Sequence, residues 1–263
     1  MPRSALLPGM EWREREGVRW LEADLGRGRA AFSTRLGGVS EPPFDSLNLG
    51  VLTDDDPAAV TENRRRLTAA LERPPEQVVF SLQVHGTRLI DHSEGSGELR
   101  GSFVVPGPTK EPRNGIAEAD GHVVRELGQA ALVFVADCLP VALSGPRGAA
   151  MVHAGWRGLA GGIVADAAAT VEATCAAIGP GIGPCCYEVG DEVLGAFADL
   201  GEGIAAGRML DLSEVARRQL ARAGAEEVQT AGLCTSCEPE LFFSHRRDHG
   251  RTGRQAGIAW LER

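Results

Sequence analysis

The chain is almost without lysine: Lys110 is the only one in 263 residues, and it stands in a Pro/Gly/Glu-rich stretch. A P-loop nucleotide site needs a lysine after its glycines and a Schiff-base enzyme needs one in its pocket, so both classes are disfavoured. Basic runs are missing too, beyond Arg64, Arg65 and Arg66, and the formal charge is −9. Nucleic acid and anionic membrane are therefore poor partners. No apolar stretch reaches the ~18 residues of a spanning helix, because Asp137 and Pro140 interrupt the longest, from Ala130 to Leu143. The opening MPRSALLPGMEWRERE has too short an apolar part for a secretory signal, and a cytoplasmic location is expected. No GxGxxG follows a strand, which leaves nicotinamide binding unsupported, and no His-x-His pair occurs among the six histidines.

What is present is a soluble-type composition, 43% hydrophobic and 24% charged, long enough for one large domain spanning residues 1–263. Short apolar runs at Val18 to Leu21 and Arg29 to Ser33 predict strands, and Asp56-Pro57 predicts the start of a helix with Val60, Leu67 and Leu71 on one face. VVFSLQVHG predicts a strand ending at His85, whereas residues 92–115 lack periodicity and look like a long surface insertion. From Ala119 the pattern is strand-rich: DGHVV, ALVFVADC, LPVAL and AAMVHAGW. The alanine-rich GLAGGIVADAAATVEATC predicts a helix that includes Cys175, taken as a packing residue. Asp211 and Glu214 form a carboxylate version of a capping box, and VQTAGLC and QAGIAWL predict closing strands. Adjacent strands outnumber long helices, so the expected class is α+β, a sandwich of mixed β-sheets flanked by helices.

Chemistry concentrates around Cys138 and His153. A hairpin turning about Gly145 and Pro146 would set these two directly opposite, with Cβ atoms ~4.5–5.5 Å apart. Tetrahedral zinc holds neighbouring S and N ligands at roughly 3.5 Å, so the pair suits a metal, and His85 beside the permissive Gly86 is the best-placed third donor. Three protein ligands would leave a position open, the arrangement of catalytic zinc. Spacing alone leaves two other readings standing: a Cys-His nucleophilic pair, and plain core packing. After His153 the glycines at 155, 158, 161 and 162 lead into a helix whose N-terminus, with Arg157, offers an anion site. Glycines also mark close packing.

Eight stretches in order, STRLGGVS (33–40), SLNLG (46–50), SLQVHG (81–86), EADGHVV (118–124), ADCLPV (136–141), VHAGWRGLAGGIV (152–164), IGPGIGPCCYEVG (178–190) and FFSHRRDHGRTGRQA (242–256), resemble the YfiH-like proteins. That family was formerly called laccase-domain or multicopper polyphenol oxidoreductase and is now described as purine nucleoside phosphorylases. The resemblance implies a zinc site of His85, Cys138 and His153, which would also be the catalytic residues, and a fold shared with cytotoxic necrotizing factor catalytic domains. It implies phosphorolysis of adenosine, inosine, guanosine and methylthioadenosine, with phosphate as co-substrate, and deamination of adenosine. Arg35, Arg157 and Arg247 are candidates for anion contact, and Asn48 and Gln83 for ribose or base. Copper outcompetes zinc for N/S ligands in vitro, so an oxidase activity could be adventitious. The main alternative is a cysteine hydrolase or deamidase in which Cys138 attacks and His153 takes its proton.

Asp137 reads as a structural carboxylate beside the site, and Asp120 and His122, alternating about Gly121, as a polar structural network. CTSC at 234–237 has metal-knuckle spacing without a second CxxC. Cys185 and Cys186 could complete a set only if adjacent residues ligate one ion, so a second zinc is not expected. His245 stands where the family pattern has an aromatic.

Overall fold

The computed structural model describes residues 9–93, 103 and 116–263. In chain order the elements are β1 (Met10–Arg15), β2 (Val18–Asp24), β3 (Gly28–Ser33), α1 (Pro57–Ala70), β4 (Val78–Val79), β5 (Leu89–Asp91), β6 (Gly121–Val124), β7 (Ala130–Val135), β8 (Leu139–Gly145), β9 (Gly148–Ala154), α2 (Trp156–Ala160), α3 (Ile163–Val171), β10 (Cys175–Ile178), α4 (Asp191–Gly195), β11 (Ala205–Ala206), β12 (Met209–Leu210), α5 (Leu212–Arg222), β13 (Glu227–Thr230) and β14 (Gln255–Leu261). Two six-stranded sheets carry the fold, ordered β1-β2-β3-β14-β7-β4 and β13-β10-β8-β9-β6-β5. Pairing is antiparallel except for β4 with β7, β5 with β6 and β10 with β13, so both sheets are mixed, as expected.

Burial on both faces explains why the central strands read as continuous apolar runs instead of alternating. Phe32 and Val133 of the first sheet meet Ala142, Met151 and Ala177 of the second in the inter-sheet layer. Leu67 of α1 covers the outer face of the first sheet with Trp20, Ile258 and Trp260. On the other side α3 and α5 cover Val141, Leu143 and Val152. The sheets approach so closely at Gly257 that a Cβ there would lie 2.5 Å from Pro140 Cβ and 2.9 Å from Met151 Sδ.

The helix signals act as expected. Asp56 accepts from Ala58 N at 2.9 Å with Pro57 opening α1, and Asp211 accepts from Glu214 N at 3.0 Å at the start of α5. Three expectations are corrected. VVFSLQVHG is a strand only at Val78–Val79; beyond it the chain leaves the sheet. The alanine-rich helix is split at Gly161 and Gly162, the latter at φ 90. It also ends at Val171, where Glu172 turns left-handed at φ 52, so Cys175 opens strand β10 instead of lying in a helix. Most of the insertion at 92–115 lies outside the described residues. Phe103 within it is fully buried, its ring edge-on to Phe80 and stacked on Phe134. No helix among the described residues is long and apolar enough to cross a membrane.

Candidate metal centre and cavity

The β8–β9 hairpin pairs Gly145 with Gly148, so its loop is Pro146-Arg147 and His153 lies opposite Pro140, not Cys138. The expected register is thus off by two residues. A shift of two preserves the face, since side chains alternate with period two, and Cys138 and His153 still project to the same side. His85 joins them from the loop after β4. The ligand atoms of His85, Cys138 and His153 all lie within 4.8 Å of one another, and the two imidazole rings stand edge to face with centroids 4.8 Å apart.

Two backbone distortions aim these donors. His85 itself is left-handed at φ 60, and Asp137, immediately before Cys138, is at φ 88. Such conformations cost ~1–3 kcal/mol for residues with a side chain and persist only where surroundings enforce them. The enforcing group for His85 is Asp120. Its carboxylate accepts the backbone N–H groups of Val84 (3.1 Å), His85 (3.0 Å) and Gly86 (2.7 Å), drawing this stretch out of the sheet. The same carboxylate accepts from His153 Nδ1 at 2.8 Å, so that Nε2 is the ring nitrogen turned toward Cys138. Asp120 therefore orients two of the three donors, a larger part than the structural network expected of it. Asp137 is held by Thr235 Oγ1 (2.6 Å) and by the backbone N–H of Arg246 (2.7 Å), in the structural role expected.

Glycine next to the centre is required by proximity. A Cβ on Gly155 would sit 3.0 Å from Cys138 Sγ and 3.5 Å from His85 Cδ2, and one on Gly161 would meet Thr87 Cγ2 at 2.4 Å. The glycines after His153 thus seat the His85 loop. Arg157 is exposed and its guanidinium lies over the Trp156 ring at 4.5 Å.

Charge is concentrated at the triad. Burial opposes ionisation of Cys138, but the charge of His153 and hydrogen bonds from His153 and His85 outweigh it and bring the thiol down to about 6. Burial likewise opposes a charged His153, yet Cys138 and Asp120 raise it to about 9. Each group thus favours the charged form of the other, thiolate beside imidazolium. Desolvation works against the Asp120 carboxylate too, and its hydrogen bonds from His153 and Gly86 leave it below the ordinary 3.8.

The triad borders a cavity of about 440 Å³, lined by Phe80, Phe134, Ile116, Ile182 and Tyr187 on apolar walls and by His245, Arg246 and Arg254 as basic groups. Among the substrate candidates only Gln83 lines it, and both ends of its amide are already used: Nε2 donates to Phe134 O (2.8 Å) and Oε1 accepts from Phe134 N (2.7 Å). Asn48 is fully buried, donates to Thr53 and Asp55, and accepts the backbone N–H of Gly50 and Arg254, so it shapes the cavity rim from behind. Arg35 and Arg247 are not brought to the cavity. Arg35 donates to the Asp45 and Pro239 carbonyls, and Arg247 to Asp248 and to the carbonyls of Thr235 and Phe242. Arg246, one residue from Arg247 in the quoted SHRRDHG, and Arg254 were missed. Both stand inside the quoted stretch 242–256, which is the signal that could have pointed to them. The structure also gathers Cys185, Cys186, Cys234 and Cys237, whose sulfurs all lie within 4.8 Å of one another.

A mixed-sheet sandwich with a His-Cys-His cluster at the edge of a cavity with apolar walls matches a known class. The family model described as multi-copper polyphenol oxidoreductase laccase covers residues 29–262, and the chain belongs to that family. Among its relatives, a protein of Pseudomonas aeruginosa named purine nucleoside phosphorylase is 40% identical over 92% of this chain and 98% of its own. Purine nucleoside phosphorylase YfiH of Escherichia coli is 39% identical over 88% of this chain and 93% of its own. The crystal structure of YlmD from Geobacillus stearothermophilus superposes with a TM-score of 0.83 at 34% identity, covering 97% of this chain and all (100%) of that one.

Proposed function

We propose that the protein is a metal-dependent purine nucleoside phosphorylase whose cavity beside the triad also deaminates adenosine. The supporting observation is the shared location of a two-imidazole, one-thiolate donor set and an aromatic-walled cavity with arginines on it. Its volume falls in the ~300–1,000 Å³ range of small-molecule sites. The donors suit zinc: one sulfur and two nitrogens, with Asp120 fixing the tautomer of His153 as second carboxylates do at zinc histidines. When bound there, zinc supplies Lewis acidity and a water of lowered pKa.

The rest is the work of the chain. Phe80, Phe134 and Ile182 give a planar purine an apolar seat, and Gln83 keeps the Phe134 edge of that wall in place through its two backbone bonds. Arg246 and Arg254 replace Arg35, Arg157 and Arg247 as the groups that hold phosphate, because they reach the cavity. In phosphorolysis a phosphate oxygen bonds to C1′ while the C1′–N9 bond breaks. The products are ribose 1-phosphate and a purine that takes up a proton, and cations near the leaving base and the anion lower that barrier. Tyr187 is pushed up to about 12 by burial and the Cys138 charge, so it stays a neutral O–H donor facing substrate. Deamination exchanges the adenine 6-amino group for a water oxygen, releasing ammonia.

A cysteine hydrolase remains the second reading, because Cys138, His153 and Asp120 form a nucleophile, base and orienting carboxylate. The second imidazole bonded to the same sulfur, His85, has no task in that chemistry and favours the metal. The multicopper oxidase reading lacks the paired histidines such centres use. The test is elemental analysis of protein purified without added metal, followed by incubation with adenosine with and without phosphate. Adenine forming only with phosphate, inosine forming without it, and both lost to chelator are expected. Activity indifferent to chelator but blocked by thiol alkylation would overturn the proposal.

A further inference from the structure

We infer that the chain holds a second metal: Cys185, Cys186, Cys234 and Cys237 form a tetrathiolate site for a structural zinc ion, separate from the His85, Cys138 and His153 centre. Sequence spacing argued against it because neighbouring cysteines seldom share an ion. The structure answers that objection. Cys237 Sγ lies 3.4 Å from Cys185 Sγ and 3.4 Å from Cys186 Sγ, and all four sulfurs fall within 4.8 Å of each other. Sulfurs about 2.3 Å from a tetrahedral zinc stand ~3.8 Å apart, so the thiols already enclose a site of the right size. All four are free.

The backbone around them is built as metal knuckles are. Cys234 to Cys237 closes a tight turn in which the Cys234 carbonyl accepts from Cys237 N (3.1 Å) and Glu238 N (3.1 Å). Opposite it, Gly183 N donates to Cys234 Sγ at 3.2 Å, a bond that gains strength when the sulfur is a charged thiolate. A Cβ on Gly183 would lie 3.2 Å from Cys234 Cβ and 3.4 Å from Cys185 Sγ, so this residue lets the two segments meet. The two segments leave the parallel β10–β13 pair side by side; beyond it Ala231 N donates to Ile178 O at 2.9 Å, an isolated bridge joins Gly181 to Cys234, and Thr235 N donates to Gly181 O at 2.9 Å. A metal would staple the loop that carries Ile182 and Tyr187 to the turn whose Thr235 holds Asp137. Loading is a ligand exchange with no redox step. Four S–H protons go to solvent as four Zn–S bonds form, and an all-thiolate set favours zinc over hard cations.

The test uses full-length protein, prepared under reductant, stripped of metal, reloaded with zinc and desalted. Cys138→Ser, which disables the other centre, should retain about one zinc per chain with only sulfur neighbours near ~2.3 Å by X-ray absorption. Cys138→Ser combined with Cys237→Ser should retain none. Zinc-free Cys138→Ser protein after loading, or nitrogen in its coordination shell, would overturn the assignment. Alkylation mapping of the unmutated protein covers the case in which the double variant does not fold. Zinc should slow labelling of Cys185, Cys186, Cys234 and Cys237 at least tenfold relative to Cys175, whereas equal labelling, or disulfides among the four in reduced protein, would refute it.

Discussion

Asp120→Asn tests the centre at its support, because one carboxylate there serves four donors. Oδ1 takes His153 Nδ1 and His85 N, and Oδ2 takes Val84 N and Gly86 N. An amide of the same size keeps one acceptor and replaces the other with an N–H₂ group. Two outcomes follow from the two ways it can sit. If N–H₂ faces Val84 and Gly86, two charge-assisted bonds worth ~1.5–3 kcal/mol each vanish and buried donors oppose each other, for a loss of about 3–6 kcal/mol. If it faces His153, that ring must protonate Nε2 to accept at Nδ1, and the metal-binding nitrogen is blocked. Zinc affinity should drop ~10–100-fold, or about 1.4–2.7 kcal/mol. Urea denaturation of the metal-free protein reads the first, and competition with a chromophoric chelator reads the second. The carboxylate's depressed titration fixes the pH sign: its contribution is complete above 3.8 and is lost only as pH falls through the lower folded value. An Asn variant matching the parent within ~0.5 kcal/mol and threefold in affinity would refute the role given to Asp120.

Three further outcomes are expected. His122 is fully buried among Ser81, His92 and Asp120, and burial first, then His92, hold it down to about 3; the unfolded chain therefore takes up its proton first, and stability should decline by ~1.4 kcal/mol per pH unit below 6.5, a slope that His122→Gln should flatten in denaturation measured from pH 7 to 5. Gly155→Ala puts a methyl 3.0 Å from Cys138 Sγ, so zinc affinity by chelator competition should fall several-fold while the circular dichroism spectrum is retained. Arg64, fully buried with bonds to the Leu49 and Phe103 carbonyls and its guanidinium 4.9 Å from the centroids of both the Phe103 and Phe134 rings, should cost ~3 kcal/mol or more when changed to Ala, read by thermal denaturation; an unchanged midpoint would mean Phe103 does not depend on it.

The layered sheets are legible because the central strands are apolar on both faces, and α1 and α5 because each starts on its own aspartate cap. Legibility stopped where tertiary contacts overrule local pattern. SLQVHG has the composition of a strand, yet Asp120, far along the chain, captures its N–H groups and turns it into a loop. Gly145-Pro146 has the composition of a turn, but the chain turns at Pro146-Arg147 between paired Gly145 and Gly148. The donor triad survives the difference since an even slip leaves every side chain on its own face. An odd slip would have moved His153 to the side of α3.

The arginines show a limit of a different kind. Arg35, Arg157 and Arg247 stand inside stretches that carry the family resemblance, as Arg246 and Arg254 also do. A guanidinium has five N–H donors, however, and in a fold with long connecting segments it is as easily consumed by backbone carbonyls. Arg35 and Arg247 spend theirs that way, which explains motif-like surroundings without any ligand. Arg254 also donates to two carbonyls, those of Thr252 and Gly253, yet it borders the cavity, where desolvation lowers its affinity for a proton and the Cys138 and Asp137 charges oppose that. Removing water from that cation raises the gain from a bound anion, whereas exposed Arg157 would pay for ordering and gain little. Cavity position, which no spacing rule encodes, thus decides between arginines of equal chemistry. Arg254→Met should accordingly raise the KM for phosphate far more than Arg157→Met, and the reverse order would return the anion site to the glycine-rich helix start.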